Sequence, residues 1–158
     1  MIRRPPRSTP SNSSAASDVY KRQKEKGIEV IDVGINEPES ETPYYEIASL
    51  VAQKVSKRSV DRGVLVCGTG MGMAIIANKF SGVYASVCEN TYSAEKSRSI
   101  NNSNVITMGE FITAPHLAKD ILDIWLNTEF TQGWEKPMKE WLHNSMKDIS
   151  KLESKQFK

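Results

Sequence analysis

Histidine and cysteine are scarce: the 158-residue chain holds two of each. His116 and His143 sit in unrelated helical contexts, and Cys67 and Cys88 are 21 residues apart, so no metal-ligand spacing emerges and no metal is expected. No apolar run approaches the roughly 18 residues of a membrane helix, so no membrane association is expected. No strong charge excess exists either: 21 basic against 19 acidic residues leaves +2. A nucleic-acid partner needs a concentrated basic face, so none is expected. Two cysteines without a secretion signal lead to free thiols and a reducing, cytoplasmic setting. The apolar fraction of 39% and the length fit one compact soluble domain.

Composition breaks near residue 24. Residues 1–23 (MIRRPPRSTPSNSSAASDVYKRQ) are rich in Ser, Pro and Arg and have no apolar periodicity. Such a segment buries too little to offset its ordering entropy, so it is expected to be disordered. Its Arg and Ser content fits a targeting peptide, but its prolines oppose an amphipathic helix. It also resembles translated sequencing-adapter sequence, which makes it non-native and joins it to a chain beginning near Lys24. The expected organisation is therefore residues 1–23 as this segment, 24–130 as the functional domain, truncated at its N-terminus, and 131–158 as a C-terminal helical extension.

Beyond Gly27, short β-branched runs alternate with helical patterns. Strands are expected at Ile28–Val33, Val64–Cys67, Val83–Cys88 and Val105–Met108. Helices are expected at Tyr45–Ser56, Met73–Lys79, Thr91–Asn101 and Thr113–Asn127, with Thr91 and Thr113 as caps and Pro115 in a first turn. Short strands separated by helices indicate βαβ units, hence an α/β fold: a doubly wound parallel sheet, a Rossmann-like three-layer sandwich. A last helix from Glu135 to about Leu152 aligns Met138, Leu142, Met146, Ile149 and Leu152 in one stripe. The stripe packs either on its own domain or on a second subunit.

The most informative run is VLVCGTGMGMAIIANK, Val64 to Lys79. Gly68, Gly70 and Gly72 alternate between a buried strand and a helix, where bare backbone amides form an anion site. No Gly-Lys-Ser/Thr follows, so this is not a nucleotide P-loop, and the third glycine comes too early for a dinucleotide fingerprint. Cys67 lies at the strand tip beside those amides. A thiol there can ionise near neutral pH and act as a base on a carbon-bound proton. The amides, with the Thr69 hydroxyl, would hold the negative oxygen of an enediolate. The plainer reading is that Cys67 is a small apolar filler. Cys88 has no glycine loop after it and is assigned to the core.

Three segments, DRGVLVCGTGMGMAIIANK (Asp61–Lys79), TYSAEKSR (Thr91–Arg98) and NNSNVITMGEFI (Asn101–Ile112), resemble the type B ribose-5-phosphate isomerase and galactose-6-phosphate isomerase family. The resemblance covers Gly27 to Phe130. It implies an aldose–ketose isomerase without cofactor, acting on a phosphorylated sugar through a cis-enediol. It implies a homodimer or a dimer of dimers, with active sites between subunits. On matching positions, Cys67 is the base and Thr69 assists it. Gly68, Gly70, Met71 and Gly72 hold the enediolate, and Asn101 binds substrate hydroxyls from the neighbouring subunit.

Three departures qualify that picture. The family's Ser-Arg-x-His-Asn stretch reads Ser97-Arg98-Ser99-Ile100-Asn101, so the ring-opening histidine is absent. The family's Gly-Gly-Arg-His-x-x-Arg tail, which grips phosphate, reads Gly133-Trp134-Glu135-Lys136-Pro137-Met138 after Gln132, leaving Lys136 or Lys139 as replacements. The family's opening strand with its Asp-His pair has no counterpart. A tetrose 4-phosphate cannot close a furanose, so Ile100 suits a substrate such as erythrose or erythrulose 4-phosphate. Ribose 5-phosphate is the alternative. A non-catalytic sugar-phosphate-binding subunit and a flavodoxin-like nucleotide binder are further alternatives; retention of Cys67 and Thr69 opposes the former, and the lack of a phosphate motif opposes the latter.

Overall fold

The computed structural model describes residues 15–34 and 42–157. Three parallel strands form the centre: β1 (Gly63–Cys67), β2 (Ala85–Val87) and β3 (Val105–Gly109), in the order β1-β3-β2. Gly63 pairs with Val105 and Cys67 with Gly109, while Ala85 also pairs with Val105. Every residue of β1 and β3 is buried, as expected for continuous β-branched runs in a parallel sheet.

Side chains alternate across the sheet. Val64, Val66, Ile106 and Met108 meet one layer, built from α1 (Ala15–Glu25), α4 (Thr91–Ser99) and α5 (Pro115–Asn127). Leu65, Cys67 and Val105 meet the other, built from α2 (Tyr44–Ser56) and α3 (Met71–Ala77). Helices therefore cover both faces, which is the expected three-layer α/β sandwich. The last helix, α6 (Lys136–Gln156), buries Leu142, and its Glu153 accepts bonds from the Gly82 N–H and the Tyr84 hydroxyl at 3.0 and 3.1 Å. Met138, Trp141, Ile149 and Leu152 stay exposed along it.

Four local expectations need correction. First, the disorder expected across residues 1–23 does not hold for Ala15–Gln23, which belong to α1; residues 1–14 lie outside the described part. Val19 is buried against the sheet layer, and Asp123 of α5 pairs with Arg22 at 2.6 Å and Lys26 at 3.3 Å. Val19, with Tyr20 packed beside it, and an ionic clasp hold this helix, a pattern that periodicity does not register.

Second, Ile28–Val33 is not a strand. A strand needs a neighbour for its backbone ladder, and among the described residues β1 pairs only with β3. A cavity of about 610 Å³ lies between Ile28–Ile31 and the start of β1, lined also by Gln23, Arg62 and Trp125. Third, Asn90 rather than Thr91 caps α4: its side chain accepts the Ser93 N–H at 2.8 Å, and Ser93 answers in a capping box. Fourth, Thr113 does not cap α5, whose N-cap is Ala114 with Pro115 in the first turn as expected. The Thr113 N–H instead closes a turn onto the Gly109 carbonyl at 2.8 Å.

Candidate active site

Cys67 ends β1, and its sulfur accepts the Gly70 N–H at 3.1 Å. The chain must double back within three residues to make that bond. Gly70 permits it with a φ of +78°, where a Cβ would also lie 2.9 Å from the Met108 carbonyl carbon. Cys67 is 8% exposed, whereas its strand neighbours Leu65 and Val66 are fully covered. It stands at the margin of the core.

α3 begins immediately beyond. Its first internal bond runs from the Ala74 N–H to the Gly70 carbonyl. The Met71, Gly72 and Met73 amides occupy the first turn, where helix geometry supplies no upstream carbonyl. α3 has only seven residues, so these individual donors, rather than a long macrodipole, give the loop its affinity for an anion. Thr69 and Met71 are exposed on the loop.

A second wall comes from the tip of β3. The Glu110 N–H donates to the Cys67 carbonyl at 2.8 Å and the Phe111 N–H to the Gly68 carbonyl at 3.0 Å. Gly109 lies so close to Thr69 that an added Cβ would be 2.7 Å from its backbone. The Phe111 ring covers Gly68, and the Tyr44 ring covers Gly72, each 2.8 Å from where a Cβ would be. Burial pushes the Glu110 carboxyl above its ordinary range. Gly109, Glu110, Phe111 and Tyr44 were missed in the sequence. The signals available for the first three were a glycine directly after the VITM strand and their place in the family-like segment Asn101–Ile112.

The remaining sequence-derived site residues lie elsewhere. In a parallel sheet, α4 must return from the carboxyl ends of the strands to their amino ends. Asn104, three residues after Asn101, marks that end. Its carbonyl accepts the Gly63 N–H at 2.9 Å, and its own N–H and side chain bond to Tyr84 just before β2. Asn101 is therefore about one strand length, roughly 15 Å, from Cys67 of the same chain. Lys136 and Lys139 are exposed on the first turn of α6. That turn follows the segment whose Thr131 N–H bonds to Ser99 near the same amino end. No hydrogen bond among the described residues joins Asn101, Lys136 or Lys139 to the loop Gly68–Gly72.

Cys88 is fully buried, and burial pushes its thiol up; the contact with Ser97 opposes this only in part. Ser97 continues a buried chain, accepting from Ser103 at 2.9 Å, which accepts the Trp125 indole N–H at 2.8 Å. Next to it, Arg98 donates to the carbonyls of Ser103 and Thr128, and burial lowers its pKa to about 10. Among the described residues, no group of three or more His, Cys, Asp or Glu side chains could hold a metal. No helix is long and apolar enough to cross a membrane among them.

Comparison with known proteins agrees with this geometry. The sequence profile described as Ribose/Galactose Isomerase matches residues 12–140. The 4-deoxy-4-sulfo-D-erythrose isomerase of Clostridium sp. (strain MSTE9) is 44% identical over 128 residues, covering 81% of this chain and 80% of that protein. The D-erythrulose-4-phosphate isomerase of Pectobacterium atrosepticum is 41% identical over 117 residues, 73% of this chain and 76% of that protein. Among solved structures, the ribose-5-phosphate isomerase B of Clostridium thermocellum superposes with a TM-score of 0.80 at 36% identity, covering 90% of each chain. The glycine loop behind Cys67, the parallel sheet that carries it and these matches together establish that the chain belongs to the ribose/galactose isomerase family.

Proposed function

We propose that this chain interconverts an aldose phosphate and its ketose, with Cys67 as the base. The observation that carries this reading is the 3.1 Å contact between the Cys67 sulfur and the Gly70 amide at the mouth of a glycine loop. The sulfur accepts an N–H there, and it would accept more strongly as the thiolate that the reaction needs. The thiolate takes the hydrogen from C2 of the open-chain aldose, and the electron pair of that C–H bond becomes the C1–C2 double bond. The carbonyl oxygen gains the negative charge, which the amides at the start of α3 and the Thr69 hydroxyl stabilise. The thiol then returns the proton to C1 while the O2 proton passes to O1, and the ketose leaves.

The preferred substrate in this reading is a four-carbon sugar phosphate. Ile100 occupies the position where a ring-opening histidine is usual, and a tetrose 4-phosphate needs no ring opening. Three relatives carry four-carbon sugar names, two of them erythrulose 4-phosphate and one a 4-sulfo-erythrose, which supports it.

The working unit is a homodimer or a dimer of dimers in which Asn101, with Lys136 and Lys139 towards the phosphate, reaches the Cys67 loop of the partner subunit. Their position at the far end of the sheet and the open apolar stripe of α6 support this. Two free thiols support a reducing, cytoplasmic setting.

The test is Cys67→Ala assayed on erythrose 4-phosphate and ribose 5-phosphate, with ligand binding measured alongside. Loss of about 10³-fold in kcat with binding retained is expected, and unsubstituted protein should turn over the tetrose faster. Full activity in the variant would defeat Cys67 as the base, and absence of turnover in the unsubstituted protein would defeat the isomerase reading. Binding without turnover in the unsubstituted protein would favour a non-catalytic subunit.

A further inference from the structure

We infer that Phe111 sets the length of sugar the site accepts, an inference that rests on the isomerase reading above. Phe111 is 79% exposed, more than any other large apolar residue among those described. Core burial does not explain such a ring. Its backbone is nonetheless anchored. Its own N–H bonds to the Gly68 carbonyl at 3.0 Å, and its ring packs where a side chain on Gly68 would stand, 2.8 Å from that Cβ position. Gly68 is the residue after the thiol. The ring therefore borders the loop one residue beyond the thiol.

Tyr44 covers Gly72 in the same manner, so the two rings bracket the loop at its first and last glycine. Met71 between them is half-exposed. An exposed apolar rim around a few convergent polar donors is the usual make-up of a small-molecule site. A rigid ring against bare backbone leaves no space on that side for an additional hydroxymethylene group. Removing the ring opens that space, and removing it costs the fold little because so little of it is buried.

The experiment compares Phe111→Ala and Phe111→Leu with the unsubstituted protein. Two quantities are read: kcat/KM for four- and five-carbon aldose phosphates, and dissociation constants for the matching four- and five-carbon aldonate phosphates. Phe111→Ala should raise the five-to-four ratio by about tenfold or more, the usual range for one carbon unit in a shaped pocket, with Phe111→Leu in between. The dissociation constants should shift in the same direction. A ratio unchanged within about twofold would overturn the inference. So would an equal loss on both substrates, or a change in sedimentation behaviour with the ratio intact, since each makes Phe111 a structural or interface residue. If the unsubstituted protein turns over neither sugar, the isomerase reading fails, while the ratio of dissociation constants still decides the role of Phe111.

Discussion

Cys67 and Cys88 both end or follow a strand, yet only Cys67 borders the glycine loop. Burial holds the Cys88 sulfhydryl protonated, with the Ser97 hydroxyl at 3.9 Å as its neighbour. Cys67 faces an amide turned towards it by a left-handed glycine. Gly109 is the less obvious partner. A methyl group there would press on the Thr69 backbone at 2.7 Å, and neither backbone has a flexible end that can yield. Gly109→Ala should cost about 1–3 kcal/mol and displace the loop. Thermal unfolding should show the first effect, and a fall in kcat larger than any rise in KM the second.

The distinction between the two cysteines was legible because glycines at alternate positions follow one and not the other. The Gly109–Phe111 wall was not, because it meets Cys67 and Gly68 across some 40 residues of chain. Strand-tip pairing depends on register, which a single sequence does not display.

Elements show the same division. The strands Val64–Cys67 and Val105–Met108 were readable as unbroken β-branched runs, and helices α2, α5 and α6 as apolar periods. Ile28–Val33 has the residues of a strand and lacks the neighbour, so propensity was overruled by pairing. α1 shows the converse: poor periodicity, yet a helix held by Val19 and the clasp of Arg22 and Lys26 on Asp123.

That clasp has a pH signature. Burial alone would raise the Asp123 carboxyl, but hydrogen bonds from Arg22 and Lys26 outweigh it and hold the group below the ordinary carboxylate range. A depressed carboxylate contributes stability above the unfolded value near 3.9, and that contribution disappears as pH falls through the folded value. Asp123→Asn should therefore melt below the unsubstituted protein at pH 7. The two curves should converge once pH has fallen through the lowered Asp123 value. A constant gap across pH would mean that packing, not charge, carries the difference.

At the scale of the whole molecule, the proposed site residues divide between opposite ends of the sheet. Cys67 and the glycine loop are at the carboxyl end, Asn101 and the start of α6 at the amino end. A two-fold pair would bring each half to the other's complement. Mixing inactive Cys67→Ala with inactive Asn101→Ala should then restore roughly a quarter of the activity, because random pairing leaves half the dimers with one intact site. No recovery after verified subunit exchange would place Asn101 outside the site. The expectation of a partner comes only from the family resemblance. The sheet is compatible with it, since parallel strands put the loops before and after each strand at opposite ends.

The most direct test of the central claim is isomerisation in D₂O with the position of deuterium read by proton NMR. A cysteine base that exchanges its proton with solvent should leave deuterium on the carbon that receives it, and Cys67→Ala should form no labelled product. Product free of solvent deuterium, formed equally well without the Cys67 sulfur, would contradict proton transfer by this thiol.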